Sequence, residues 1–111
     1  MTTETSVARI RALNDTARRT SALGQFFLTR GVAELPPDDQ AAILDRVRTF
    51  DDFTPANDPH DEHDFGAFAY KGRTVYWKIE YYDLLRINGS SDPSDPALTR
   101  RVLTVTFADE Y

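Results

Sequence analysis

The chain has 111 residues, 18 acids against 13 Lys and Arg, no cysteine, and a formal net charge of −5. That length holds one domain with one core, and the lack of cysteine excludes disulfides, thiolate metal sites and cysteine nucleophiles. With 41% apolar residues the moderate charge excludes wholesale disorder, and an unstapled chain of this size must bury most of its Leu, Ile, Val and Phe.

Met1 to Thr5 lacks the basic and apolar regions of a secretion signal, and no apolar run reaches membrane-spanning length. A cytoplasmic location is therefore expected, where Asn88-Gly89-Ser90 carries no glycan. Ser6 to about Thr20 reads as an amphipathic helix with Val7, Ile10, Leu13 and Ala17 on one stripe and Thr5 or Ser6 as its cap. The first 30 residues hold five arginines against Glu4 and Asp15, a net of +3. The remainder holds eight bases against sixteen acids, a net of −8. Asp15 is spaced to pair with Arg11, Arg18 or Arg19 along the helix, which makes a salt-bridged surface the simplest use of those arginines.

Gln25 to Thr29 is an apolar run of strand length, punctuated by Arg30-Gly31. Leu35-Pro36-Pro37-Asp38-Asp39 announces a second helix, running to about Phe50. Proline fits its first turn, the two acids suit its positive end, and Arg46 and Arg48 suit its negative end. Ile43, Val47 and Phe50 form its apolar stripe. Asp51 to Asp64 is a connection with six acids and no Lys or Arg, stiffened by Pro55 and Pro59.

Phe65 to Tyr70, the turn Lys71-Gly72-Arg73, and Thr74 to Tyr82 read as a β-hairpin. In its second strand Val75, Trp77, Ile79 and Tyr81 alternate with Tyr76, Lys78, Glu80 and Tyr82, a core face against a semi-polar one. A loop with two Asp-Pro pairs follows, with one helical turn expected after Asp95. The last strand runs from Arg101 to Phe107, with Leu103, Val105 and Phe107 inward and Val102, Thr104 and Thr106 outward. The order α-β-α-β-β-β predicts an α+β domain: two N-terminal helices on one face of a small, mainly antiparallel sheet of about four strands.

Both histidines lie in the acidic connection, and imidazole with carboxylates is the commonest acid/base and metal-ligating combination. A loop that folds back would bring His60 and His63 around zinc or manganese with Asp61 or Asp83. The competing reading is a solvated loop whose acids accept backbone N–H bonds. The hairpin places Glu62, His63, Asp64, Glu80, Tyr82 and Asp83 near its open end, with Asp83 as the partner of His63. Glu62, His63, Asp64 and Asp83 are then the candidate acid/base residues. The serine-hydrolase elbow, the phosphate loop and the dinucleotide fingerprint are all missing, and no cofactor is expected. An acidic surface disfavours nucleic acid and anionic membranes.

The blocks Glu62-His63-Asp64-Phe65-Gly66 and Trp77-Lys78-Ile79-Glu80-Tyr81-Tyr82-Asp83 are distinctive. So are Phe50 to Pro55, Asn57-Asp58-Pro59, Leu28 to Val32 and Arg101 to Val105. Through them nearly the whole chain resembles a family of small bacterial proteins of unknown function, found largely in alphaproteobacteria and often on mobile DNA. The resemblance implies no activity, cofactor or catalytic residue. In its pattern position 60 is not fixed as histidine, which moves weight from His60 to Glu62, His63, Asp64 and Asp83. Its setting implies a role between mobile DNA and host defences.

The first reading is accordingly a small acidic interaction protein that binds another protein, in concrete form an inhibitor of a host defence system of the anti-restriction or anti-CRISPR kind. Its contact residues would be Tyr76, Lys78, Glu80 and Tyr82 on the open sheet face, with Asp58 and Asp61 in the acidic loop. Homodimerisation through the same face is an alternative use of it. The alternative function is a small metal-dependent or acid/base enzyme, or a ligand-binding domain, using Glu62, His63, Asp64 and Asp83.

Overall fold

A computed structural model of the chain describes residues 4–20 and 24–111, apart from the side chains of Glu4 and Thr5. In order the elements are α1 (Glu4–Thr20), β1 (Gly24–Leu28), α2 (Arg30–Ala33), α3 (Pro37–Thr49), β2 (Phe65–Tyr70), β3 (Arg73–Tyr82) and β4 (Arg100–Phe107). A short 3-10 turn follows at Ala108–Glu110. The strands form one sheet in the order β1-β4-β3-β2, with β2–β3 and β3–β4 antiparallel and β1–β4 parallel. The class is α+β, as the sequence pattern predicts.

Local chemistry explains most of the boundaries. In α3, Pro36 and Pro37 occupy the entry, Asp38 and Asp39 the first turn, and Arg46 and Arg48 the last, while Ile43 and Val47 are fully buried. Lys71 (φ 47°) and Gly72 (φ 80°) both adopt left-handed backbone, the geometry that matches a two-residue hairpin turn to strand twist. In β3 the pattern is as expected, with Val75, Trp77 and Ile79 buried and Tyr76, Lys78 and Glu80 on the outer face. Together with Leu103, Val105 and Phe107 of β4, Phe68 of β2, and Val32, Ile43 and Val47 of the helices, they form the core on one side of the sheet.

The structure departs from the sequence expectations at five places. Residues 30–33, expected only to punctuate, form α2, whose first turn is clasped from the chain's other end. Glu110 accepts the Gly31 N–H (2.8 Å), the Thr29 hydroxyl (2.9 Å) and the Phe107 N–H (3.2 Å). Thr5 and Ser6 lie inside α1 rather than capping it. The buried stripe of α1 is Ile10, Asn14, Ala17 and Arg18, with Val7 and Leu13 only half-buried. Thr106, expected outward, is buried where Tyr111 packs edge-on against Tyr76, its neighbour across the strands. The helical turn after Asp95 is reduced to one bend closed by the Leu98 N–H on the Asp95 carbonyl (3.1 Å). Among the described residues no helix is long and apolar enough to cross a membrane.

Candidate functional site

Two polar chains thread from α1 beneath the loop 51–64. The first begins at Arg18, whose side chain is fully buried. Its Nη1 donates to the carbonyls of Val47 (2.9 Å), Arg48 (3.2 Å) and Phe50 (2.7 Å), at and just past the C-terminal end of α3, where the Phe50 N–H also reaches the Val47 carbonyl (3.4 Å). Its Nη2 donates to Asp15 Oδ1 at 2.9 Å, and the guanidinium lies over the rings of Trp77 and Phe53. Burial pulls this guanidinium below its usual pKa, and Asp15 opposes the shift. Asp15 is also 3.0 Å from His63 Nδ1. The imidazole stacks flat on Phe53, 3.8 Å between centroids at an angle of 3°. Beyond it lies Asp58, whose carboxylate accepts the backbone N–H groups of Glu62 and His63 at 3.2 Å.

The second chain runs from Arg101, buried at the start of β4. Its Nε donates to Asn14 Oδ1 at 2.8 Å, and Nη2 reaches the Pro93 carbonyl. Asn14 Nδ2 donates to the Tyr81 hydroxyl (2.7 Å) and the Glu62 carbonyl (2.9 Å), and Tyr81 donates in turn to Glu62 Oε1 at 2.7 Å. Burial, then this bond to Glu62, pushes the Tyr81 phenol far above its ordinary value. Burial and the charge of Glu62 likewise raise Asp64. Each chain ties α1 to the loop and the sheet through groups whose desolvation is offset only by these bonds.

The expected cluster is therefore only partly assembled. Glu62, His63 and Asp64 do lie together, and His63 does bond a carboxylate, but that carboxylate is Asp15. Asp83 stands apart, at the start of the loop 83–99. There its carboxylate accepts the Ile87 N–H (3.0 Å) and its own N–H binds the Asn88 carbonyl. The reason is geometric: His63 pairs across to α1, whereas Asp83 lies beyond the end of β3. Glu80 and Tyr82 alternate onto the outer face away from this cluster, Glu80 beside Lys78 at 3.5 Å. His60 is exposed, and the group of potential ligand atoms among the described residues is Asp58, Asp61 and His63, all within 4.8 Å of one another. Arg11 does not pair with Asp15 but with Asp61, at 2.5 Å.

Sequence reasoning missed Asn14, Arg18 and Arg101. A signal existed for the first two: they follow Ile10 at i+4 and i+8, on the same helical face. On the outer face, Tyr76 and Lys78 meet Tyr111, which lies edge-on to Tyr76 and beneath the Lys78 ammonium. Phe65 lies opposite Lys78 and packs against Tyr76, and Phe27 projects from β1 at 60% exposure.

No curated protein and no solved structure matches the chain. The model of a family described as a protein of unknown function (DUF3768) matches residues 28–110, which include every strand after β1, α3, the acidic loop and all of Glu62 to Asp83. The chain belongs to this DUF3768 family.

Proposed function

We propose that the protein acts by binding another protein through the uncovered face of its sheet. The observation that carries this reading is the composition of that face. Phe27 is 60% and Tyr111 71% exposed, and Phe65, Tyr76 and Val102 are half-buried around the Lys78–Glu80 ion pair. Rigid aromatics around a small charged centre are the chemistry of protein interfaces, because they bury large area at small entropic cost. The concrete form of the reading is inhibition of a restriction or CRISPR nuclease, which rests on the mobile-DNA association of the resembling family. The enzyme alternative asks for Glu62, His63, Asp64 and Asp83 around one cavity. Against it, Asp83 sits on another loop and the Glu62 carboxylate is engaged by Tyr81.

The test is plasmid transformation and phage plating in cells carrying defined restriction or CRISPR systems, with and without the protein. Protection against at least one system, lost in Phe27→Asp and Tyr76→Ala at unchanged melting temperature, is the expected result. No protection in any system, or protection indifferent to both substitutions, refutes the inhibitor form. Sedimentation velocity separates the competing occupant, a second copy: a concentration-dependent dimer dissolved by Phe27→Asp would assign the face to self-association.

A further inference from the structure

We propose that β2 is a self-association edge, pairing antiparallel with β2 of a second copy of the chain about a two-fold axis at Ala67. This goes beyond the interface reading, does not rest on it, and uses the border of the sheet rather than its uncovered face. In the order β1-β4-β3-β2 only one side of β2 is paired. The Asp64 carbonyl accepts the Ile79 N–H at 2.8 Å, which continues the β2–β3 register and sets its parity. Residues 64, 66, 68 and 70 therefore bond to β3, whereas Phe65, Ala67 and Ala69 turn their N–H and C=O groups outward. Among the described residues those groups have one partner, Arg46 Nη1 on the Ala69 carbonyl at 3.4 Å. Exposed edges are ordinarily protected by a proline, a bulge or a charge within the strand. β2 has none of these: it reads Phe65-Gly66-Ala67-Phe68-Ala69-Tyr70 in unbroken register, and its exposed Ala67 and Ala69 are too small to screen the backbone.

The charges flanking the strand identify the occupant. A recess of about 370 Å³ runs beside the edge, between residues 67–69 and the end of α3. Arg46 marks its Ala69 end. The Phe50 ring lies against Gly66, so Asp51 and Asp52 mark the other end. All three charged side chains are exposed, and none has an ion-pair partner among the described residues. An antiparallel pair centred on Ala67 sets Phe65 against Ala69 of the second copy, large against small on one face of the sheet. It also carries Arg46 to the Asp51–Asp52 end of the second copy, and symmetry makes that contact twice. The same operation sets the acidic loop 51–64, where β2 begins, toward the Lys71-Gly72-Arg73 turn, where it ends. A strand from an unrelated protein need not carry this pattern of unlike ends, whereas a second copy always does. Edge pairing then joins two sheets into one continuous sheet through backbone bonds.

Sedimentation velocity of the full chain at concentrations up to about 1 mM tests the contact, with amide exchange as a residue-level readout. A concentration-dependent dimer is expected. The amides of Phe65, Ala67 and Ala69 should exchange slowly in the dimer and fast on dilution, while that of Phe68, bonded to β3, stays protected in both. Ala67→Pro removes an outward N–H and no hairpin bond, and should leave only monomer. Arg46→Asp should weaken the dimer at least tenfold, because symmetry breaks the contact twice, and adding Asp52→Arg should restore it. Phe27→Asp, on the opposite edge strand, should change nothing, which separates this contact from self-association through the sheet face. The proposal is overturned by a monomer at every concentration or by exchange at Ala67 and Ala69 that ignores dilution. It is equally overturned by a dimer that Arg46→Asp leaves unchanged or tightens, or by one that Phe27→Asp dissolves.

Discussion

Arg18 is a cation placed where a helical stripe calls for an aliphatic residue, and its surroundings show what that costs and returns. Four acceptors converge on it, the carbonyls of Val47, Arg48 and Phe50 at the end of α3 and the Asp15 carboxylate, so it reinforces an end that the backbone closes with the single Phe50 N–H on Val47. Arg18→Met keeps the volume and takes the buried donor from all four, leaving Asp15 with His63 and Val47 with the Phe50 N–H, a loss of roughly 3–5 kcal/mol on the scale of broken buried pairs. Chemical denaturation of the variant measures it. Asp64 gives a residue-scale pH effect. Its folded pKa is raised, chiefly by burial and then by Glu62, so the native state holds a proton that the unfolded chain releases near the ordinary value of 3.8. The native state binds more protons in the window above 3.8, so this contribution favours folding below it and is lost as pH rises through the folded pKa. Asp64→Asn should therefore flatten the fall in melting temperature just above pH 3.8 and leave the neutral protein no less stable. A steeper fall in the variant would contradict this.

Elements with strong local signals were legible. The Pro-Pro-Asp-Asp entry of α3, the Lys71-Gly72 turn and the alternation of β3 each depend on neighbours in sequence, so pattern sufficed. α2 was not legible, because a helix of one turn has little preference of its own and is held by Glu110 from the far end of the chain. Glu110→Ala should raise the amide exchange rate of Gly31 and lower the melting temperature by the equivalent of about 1–2 kcal/mol. An unchanged exchange rate would deny the clasp. The site divides in the same way. The run Glu62-His63-Asp64 announced itself by composition, while its partners Asn14 and Asp15 lie 48 residues away and could not be assigned from spacing. Within the hairpin, Gly66 is required by a close approach. A Cβ there would sit 2.3 Å from Trp77 Nε1 and 2.9 Å from the Phe50 ring, so Gly66→Ala should cost about 1–3 kcal/mol by overpacking. Its thermal unfolding would show this directly.

At the scale of the whole molecule, the strand that closes the core is the last of the four in sequence. β4 lies between β1 and β3, and it joins β1 across the long separation of Thr29 from Val105, 76 residues. A fragment ending at Thr99 should keep helical circular dichroism but show no cooperative melting; a sharp transition in that fragment would place the core elsewhere. Arg101, on the same strand, also locks the Asn14–Tyr81–Glu62 chain, so the sheet and the acidic loop become ordered together. During synthesis this arrangement sets a schedule. At ~5–20 residues per second, β1 leaves the ribosome roughly 4–15 s before the strand it pairs with. For that interval Phe26 and Leu28, and later Trp77, have no core to enter. The nascent chain is then a natural client for chaperones and proteases, and its cellular yield depends on how quickly the final strand arrives.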